Sequence, residues 1–466
     1  MNSETTNLMG GTARRFLPVA ALLGLLLVAP GCGPRVSRVE HAAVFHPGLQ
    51  AKTAAVLPER PLTALECVRI ALDNNLDLRV AEIGRRLATL DRKAAFGLFL
   101  PQIEFRFGYS GTDNPQLRRT GGGVVQLSDQ RIHQTEIEVQ QAVFLPQAWL
   151  LYDIRGRGEE ISSLLRDRAR QMISLQVATL YFAVLTLGDA EKYLGVTIEN
   201  VEALLRETRA FEREGLALPS QRQEVETLLL ESTIARDNVR RLLAETRAEL
   251  MVAMGLDPFG KIELVRQAPF LPFERRSLEE DALEALTRRL ELHVDDRTLE
   301  IRKREVQTAL AAFLPRVAGL GSFTHSSDSF LVYSNVWTYG VGAVLSAFDG
   351  FRNLFGYRAA REREKEAFVR REQRCMAILL EVLRARHRVD QAADYAAVAS
   401  KNLETAEERL RESRALWDEG MIQFSELLDA VTEKERAGFI RSMAGFQRQV
   451  ALATLGDVLG RTPKEP

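Results

Sequence analysis

The chain is written twice. Moving the sequence along itself by 214 positions lays residues 62–101 on 276–315 without a gap. Glu66 then meets Glu280, Ala71-Leu72 meets Ala285-Leu286, and Phe99-Leu100-Pro101 meets Phe313-Leu314-Pro315. A second block aligns at an offset of 205. There Glu214-Gly215 falls on Glu419-Gly420, Ser220 on Ser425, Leu250 on Leu455 and Gly255 on Gly460. A repeat this long means that each half folds to the same succession of parts, and one half's pattern checks the other's.

Each half opens on a helical pattern, residues 61–98 and 277–313, stopped by proline at the Phe-Leu-Pro triplet. A strand follows. Ile103, Phe105, Phe107 and Tyr109 alternate with Gln102, Glu104 and Arg106, which gives one apolar and one polar face. A polar loop with Gly121-Gly122-Gly123 leads to a second strand, where Ile137, Val139 and Val143 alternate with Glu136, Glu138 and Gln140. The first hairpin is placed at about 101–145 and its counterpart at about 315–348. In the latter, Gly319 and Gly321 dilute the alternation of the third strand, while Trp337, Tyr339, Val341 and Ala343 share a face of the fourth.

Long helices come next. No proline occurs from 147 to 213 or from 350 to 418. Leu194, Ile198, Val201 and Leu205 step by four, three and four, and Leu403, Ala406, Leu410 and Trp417 continue such a rhythm with steps of three, four and seven, so coiled-coil packing is expected. Glu214-Gly215 and Glu419-Gly420 end these helices, since glycine suits the left-handed cap. Return helices are expected over 219–256 and 424–460, with Val225, Leu228, Val239 and Leu242 forming an apolar side in the first. A helix over the 67 residues 147–213, at 1.5 Å per residue, is ~100 Å long, nearly matched by the two shorter flanking helices laid end to end. The expected domains are therefore 61–257, a linker 258–276, 277–460 and a tail 461–466.

The N-terminus reads as an address. Arg14-Arg15 precede an apolar run from Phe16 to Val28, short for a membrane-spanning helix and right for a signal peptide. Residues 1–31 are assigned to it. Val28-Ala29-Pro30-Gly31-Cys32 partly matches a bacterial lipidation site, so Cys32 is the expected lipid attachment point, with cleavage of a plain signal peptide as the alternative. The stretch 32–60, with Pro34, Pro47 and Pro58 and no clear period, is expected to be extended.

Composition excludes several classes. Sixty-two basic and 63 acidic side chains leave a net charge of −1, without the basic excess of a nucleic-acid binder. Three cysteines, Cys32, Cys67 and Cys375, lie far apart and give no disulfide framework. His41, His46, His133, His293, His325 and His387 form no metal-ligand spacing. Phosphate-binding loops and nucleophile elbows are missing too. No enzyme, cofactor or metal is expected.

Residues Leu65 to Leu78, the two Phe-Leu-Pro triplets and the stretch Trp417 to Asp429, in this order and duplicated, resemble the TolC-like outer-membrane efflux protein family over nearly all of 61–460. The resemblance implies a mainly α fold with a small β part. Three chains would each give four strands to a 12-stranded transmembrane barrel, continuous with a periplasmic coiled-coil tunnel. Physics agrees, because four strands cannot close a barrel and open edges are not tolerated in lipid. Phe105, Phe107 and Tyr109 would meet lipid, and Glu104, Arg106, Glu136 and Glu138 the water of the lumen. A soluble hairpin packed on helices is the plainer alternative.

The resemblance also implies a periplasmic aperture at Trp417, Ile422, Glu426 and Asp429, and adaptor-contacting tips at Gly215-Leu216 and Gly420-Met421. Ile422 replaces a basic residue of the family pattern, and Gln221 replaces an acid in the first half. Glu426 and Asp429 would form acidic rings in a trimer; the alternative is solvated carboxylates at a helix start. The implied partners are a homotrimer, a periplasmic adaptor, an inner-membrane pump or ABC transporter, and outer-membrane lipid. Export of a protein or peptide in a type I system, or a poreless periplasmic coiled-coil scaffold, are the competing roles.

Overall fold

A computed structural model of the chain describes residues 37–266 and 276–461. Cys32, the segment 1–31, most of the short tail and the middle of the linker lie outside the described residues.

Among the described residues, 37–55 belong to a unit of their own. Here the expected extended segment is corrected, because Arg38–Val56 is a helix, α1. Its start is a capping box. The Glu40 amide donates to Ser37 Oγ at 3.1 Å, and the Ser37 amide donates to the Glu40 carboxylate at 2.9 Å. Pro47 lies inside α1 and lacks the amide hydrogen that would continue the ladder.

The second unit, from Val56 on, holds both repeats. Its first helical pattern is two helices, α2 (Ala64–Asn74) and α3 (Leu76–Phe96), and the second half matches with two more, Leu278–Arg288 and Leu290–Ala311. The break falls at Asn75 and at Arg289, which the 214-residue offset superposes. Both have extended backbone (φ/ψ −62/134 and −65/125). Asn75 makes the break stable. Its Oδ1 accepts the Leu78 amide at 3.0 Å, and its Nδ2 donates to the Ala253 carbonyl at 2.8 Å.

Strands β1 (Gln102–Gly111), β2 (Leu117–Thr120), β3 (Gly123–Gln126) and β4 (Arg131–Phe144) come next, then α4 (Pro146–Arg213) and α5 (Pro219–Ala253). The polar loop of the first hairpin is thus corrected in part, since β2 and β3 pair as a ribbon turning at Gly121-Gly122. The helices Leu278–Arg288 and Leu290–Ala311 are α6 and α7. They lead into β5 (Arg316–Ser326), β6 (Asn335–Val344), α8 (Arg352–Asp418) and α9 (Phe424–Val458). Helix α4 has 68 residues and α8 has 67.

One neighbour order runs through this unit. The four-stranded antiparallel sheet is ordered β1-β4-β5-β6. Beside it the helices contact in the order α3-α4-α7-α8, and towards the other end in the order α5-α4-α9-α8. The long helices α4 and α8 serve both levels. The core lies where these levels meet. Val177, Tyr181 and Phe182 of α4 are buried against Cys67 and Ala71 of α2 and Leu250, Met251 and Met254 around the end of α5. That packing gives α4 a stretch apolar enough to pass for a membrane span, a feature the sequence reading reserved for the N-terminus.

The start of the linker is held too. Leu62 pairs with Leu264 as a parallel bridge, and the Tyr181 hydroxyl bonds the carbonyls of Leu62 and Val265. Polar links join the halves along α4. They are Asp153–Arg304 (2.5 Å), Glu160–Arg297 (2.5 Å), Arg168 with Asp457 and Glu291 (2.8 Å), Asp189 with Ser442, and Asn200–Thr432 (3.0 Å). At the Arg168 link, burial alone would raise the Glu291 carboxyl, yet the Arg289 hydrogen bond and the charge of Arg168 hold it below its ordinary value.

Candidate functional site

Two regions carry the expected function: the sheet at one end of α4 and α8, and the turns at the other.

The ladder fixes the two faces of the sheet. Phe105, Ile137, Phe323 and Trp337 form one cross-strand row, and Ile103, Val139, Gly321 and Tyr339 the next. All but the glycine carry apolar or aromatic side chains. Tyr339 is 88 % exposed and Trp337 75 %, so this face has no cover within the chain. The two glycines that blur the third strand acquire a reason. Gly321 lies between Val139 and Tyr339, and Gly319 between Gln141 and Val341, so small residues alternate with large ones across the row.

The opposite face is polar on its first two strands. Arg106 bonds Glu104 at 2.8 Å, Glu138 at 2.6 Å and Glu136 at 3.4 Å. Ser322, Thr324 and Thr338 continue that face. Val143 is the extra residue of a bulge between Ala142 and Phe144, where the sheet meets the helices. Beside that junction Phe99 lies 4.5 Å from Trp149, with Phe96 and Tyr152 completing an aromatic cluster. Strands β1 and β6 are each paired on one side only.

Below the sheet the same openness holds. Helices α5 and α8 end the row, and both expose apolar side chains: Leu228, Leu230 and Ile234 on α5, Phe368, Met376 and Val398 on α8. The expected apolar side of α5 is therefore only partly used within one chain. Helices α4, α5, α8 and α9 together line one cleft of about 910 Å³, so this wall is concave.

At the far turns, α4 and α8 end in the same way. The Leu216 amide donates to the Phe211 carbonyl (2.8 Å) and the Gly215 amide to Glu212 (3.1 Å). Met421 donates to Leu416 (2.8 Å) and Gly420 to Trp417 (2.9 Å). This is the Schellman motif, and it needs the left-handed backbone that Gly215 (φ 76°) and Gly420 (φ 72°) supply. Leu216 and Met421 project with little cover (72 and 68 % exposed).

Trp417 ends α8, Ile422 is half-buried in the turn, and Glu426 and Asp429 are exposed on the first two turns of α9, three apart and so on one face. Among the described residues neither carboxylate has an ion pair. The structure thus puts the four expected aperture residues at one turn.

Sequence reasoning missed an asymmetry between the two turns. In the first, Arg222 bonds Glu212 at 3.0 Å and Glu226 at 2.7 Å, and Arg209 adds a third link to Glu226, strapping α4 to α5. Hydrogen bonds from Arg209 and Arg222 hold the Glu226 carboxyl below its ordinary value. The 205-residue offset puts Leu427 and Val431 at the matching places, which cannot repeat the Arg222–Glu226 pair. That offset was the signal that could have found it.

A sheet open at both edges with an uncovered apolar face, carried on long paired helices, is the build of a membrane-channel subunit with a helical extension. The sequence profile of the outer membrane efflux protein family matches residues 67–256 and 283–461, and the chain belongs to that family. Outer membrane protein OprJ of Pseudomonas aeruginosa is 25 % identical over 422 residues, covering 84 % of this chain and 83 % of its own. The Campylobacter jejuni CmeC outer membrane channel shares the fold at a TM-score of 0.73 and 16 % identity, over 86 % of this chain and 87 % of its own. The open state of the Neisseria gonorrhoeae MtrE outer membrane channel does so at 0.69 and 18 %, over 86 % and 89 %. The protein is therefore an outer-membrane efflux protein, and its family and fold are those of outer-membrane channels, not of enzymes.

Proposed function

We propose that three copies close one 12-stranded barrel and one helical tunnel, and that this tunnel is the passive export duct of a tripartite efflux system. The observation that carries the reading is the repeated order with both ends free: β1 and β6 in the sheet, α5 and α8 in the wall. An open sheet edge in lipid leaves backbone groups unsatisfied, at several kcal/mol each, so copies must pair β6 of one with β1 of the next. The exposed apolar stripes of α5 and α8 would close in the same operation.

In this reading Cys32 carries the lipid anchor. The turns at Gly215-Leu216 and Gly420-Met421 meet a periplasmic adaptor, which links the duct to an inner-membrane pump. The three copies of Glu426 and Asp429 ring the aperture, with Trp417 and Ile422 beside them, and select cations. With Leu427 and Val431 in place of the Arg222–Glu226 pair, the α8–α9 turn is the one that opens more easily.

The test is single-channel recording of the purified protein in a planar bilayer. Long-lived steps that prefer cations, with the preference reduced in Glu426→Gln/Asp429→Asn, support the duct and its gate. Unchanged cation preference in that variant removes the acidic ring. Silence from both proteins, each with a normal helical spectrum, favours the poreless scaffold.

A further inference from the structure

The ribbon β2–β3 and the sheet end that carries it have no part in the duct. Helices join the sheet at Gln102, Phe144, Arg316 and Val344, so Gly111, Arg131, Ser326 and Asn335 lie at the end away from the periplasm. The hairpin β1–β4 continues past that end. The Thr112 amide donates to Gln130 (2.8 Å) and the Leu127 amide to Gln116 (2.8 Å), which leads into the ribbon 117–126.

Three arginines lie on this sheet end and its ribbon: Arg131 on β4, and Arg118 and Arg119 on successive rungs, and so on opposite faces, of β2. Arg131 stands opposite Gly111 on the apolar face, the next outward position after the Tyr109–His133 pair, whose rings are 4.9 Å apart. From Ile103 to Tyr109 the apolar face rises ~20 Å at 3.3 Å per residue, and Arg131 lies ~7 Å further. In an outer-membrane barrel an apolar band of about 25 Å ends in an aromatic girdle, so Arg131 stands at the headgroup level of the outer leaflet.

Arg118 and Arg119 are adjacent on the ribbon, with exposed Leu117, Val124 and Val125 around them. Among the described residues none of the three arginines has an ion pair. Of the nearby carboxylates, Asp129 accepts the amide of Ser329 (2.6 Å), the buried Asp328 accepts the amides of Asp129 (3.0 Å) and Phe330 (3.2 Å), and Asp113 is the third. Residues 114–128 contain no acid at all.

We propose that this rim is a docking surface for phosphorylated lipid headgroups of the outer leaflet, with Arg131, Arg118 and Arg119 as the phosphate ligands. Planar guanidinium groups suit phosphate, and each can offer two parallel hydrogen bonds. The apolar side chains of the ribbon sit against the acyl boundary beside them. The surface continues the lipid-facing side of β1–β4, and it lies next to the β1 edge, where copies would meet. Bound lipid would thus seal the seam between subunits.

The experiment uses the full-length protein in a non-ionic detergent, titrated with a bis-phosphorylated glucosamine lipid and, in parallel, with the same lipid stripped of phosphate. Retained lipid is counted by native mass spectrometry. Arg118→Gln/Arg119→Gln/Arg131→Gln should bind the phosphorylated lipid at least tenfold more weakly and the stripped lipid as before. Arg118→Lys/Arg119→Lys/Arg131→Lys should keep more than half of the binding, which separates lost charge from a misfolded rim. Parent binding that falls with added salt supports the proposal, and so does parent binding that millimolar inorganic phosphate cannot compete away. Equal binding of both lipids by the parent overturns it. So does a glutamine variant that binds lipid normally while its assembly comes apart at lower temperature, for then the ribbon covers a neighbouring subunit.

Discussion

Gly255 is where the two levels of the first repeat are locked together, and the lock can be tested with one methyl group. Its backbone is left-handed (φ 69°), and a Cβ placed on it would stand 2.2 Å from the carbonyl oxygen of Asn74 and 2.7 Å from the carbonyl carbon. Those atoms belong to the break between α2 and α3 and cannot rotate away like a side chain. Gly255→Ala therefore carries two costs. The left-handed backbone costs about 1–2 kcal/mol for a residue with a Cβ, and the overpacking adds about 1–3 kcal/mol. Gly215→Ala is the control. It has the same kind of backbone (φ 76°), but nothing lies within 4 Å of the added carbon, so only the first cost applies. Gly460→Ala, 3.0 Å from Arg288 backbone atoms, should fall between them. The assay is thermal unfolding of the solubilised protein, followed by circular dichroism at 222 nm. Gly255→Ala should melt several degrees below the parent and Gly215→Ala within a degree or two of it. Equal losses in these two variants would refute the reasoning, because the Asn74 contact would then add nothing to the backbone cost.

Two further outcomes follow from the charged groups. Arg168→Ala strands the Asp457 carboxylate, whose side chain is only 13 % exposed, and leaves Glu291 to Arg289 alone. It should cost about 3–5 kcal/mol, while Arg168→Met/Asp457→Leu recovers part of the loss; denaturant midpoints measure both. Glu66 is held at about 2 by the Arg60 hydrogen bond and by the Thr63 backbone and hydroxyl, against an ordinary value of 4.5. Its folded value is the lower one. The stability it lends is complete above about pH 4.5 and is lost as pH falls towards 2. Glu66→Gln should flatten the acid limb of the melting curve in that window; an unchanged limb would dismiss the Arg60–Glu66 pair as a stabilising contact.

The repeat made the succession of parts readable, because each helix end or strand found in one half could be checked in the other. What it could not show was where a continuous period hides a break. Leu72 and Leu76 keep the helical spacing of four straight across Asn75, and no glycine or proline interrupts them. The local signal was the cap, Asn75 followed by Leu-Asp-Leu, as it was for α1 in Ser37-x-x-Glu40. Prolines misdirected the reading of 38–56, since Pro47 is accommodated inside a helix. The aperture residues were legible only through resemblance, for Glu426 and Asp429 taken alone look like any carboxylates at a helix start. The strap at Arg222 and the links along α4 depend on which helices become neighbours, and no spacing within one segment contains that.

The pairing of β4 with β5 also sets an order in time. The amide of His133 bonds Ser327 Oγ, 194 residues later in the chain. Until that length has been exported, β1 and β4 are a lone hairpin with a bare edge and an uncovered apolar side, and two strands alone are marginal in water. The hairpin cannot start folding. The α4–α5 pair can, because its turn at Gly215 brings neighbours together over a short loop, where closure costs least. Each repeat then grows from its tip towards the sheet, and the part that belongs in the membrane is the last to be completed.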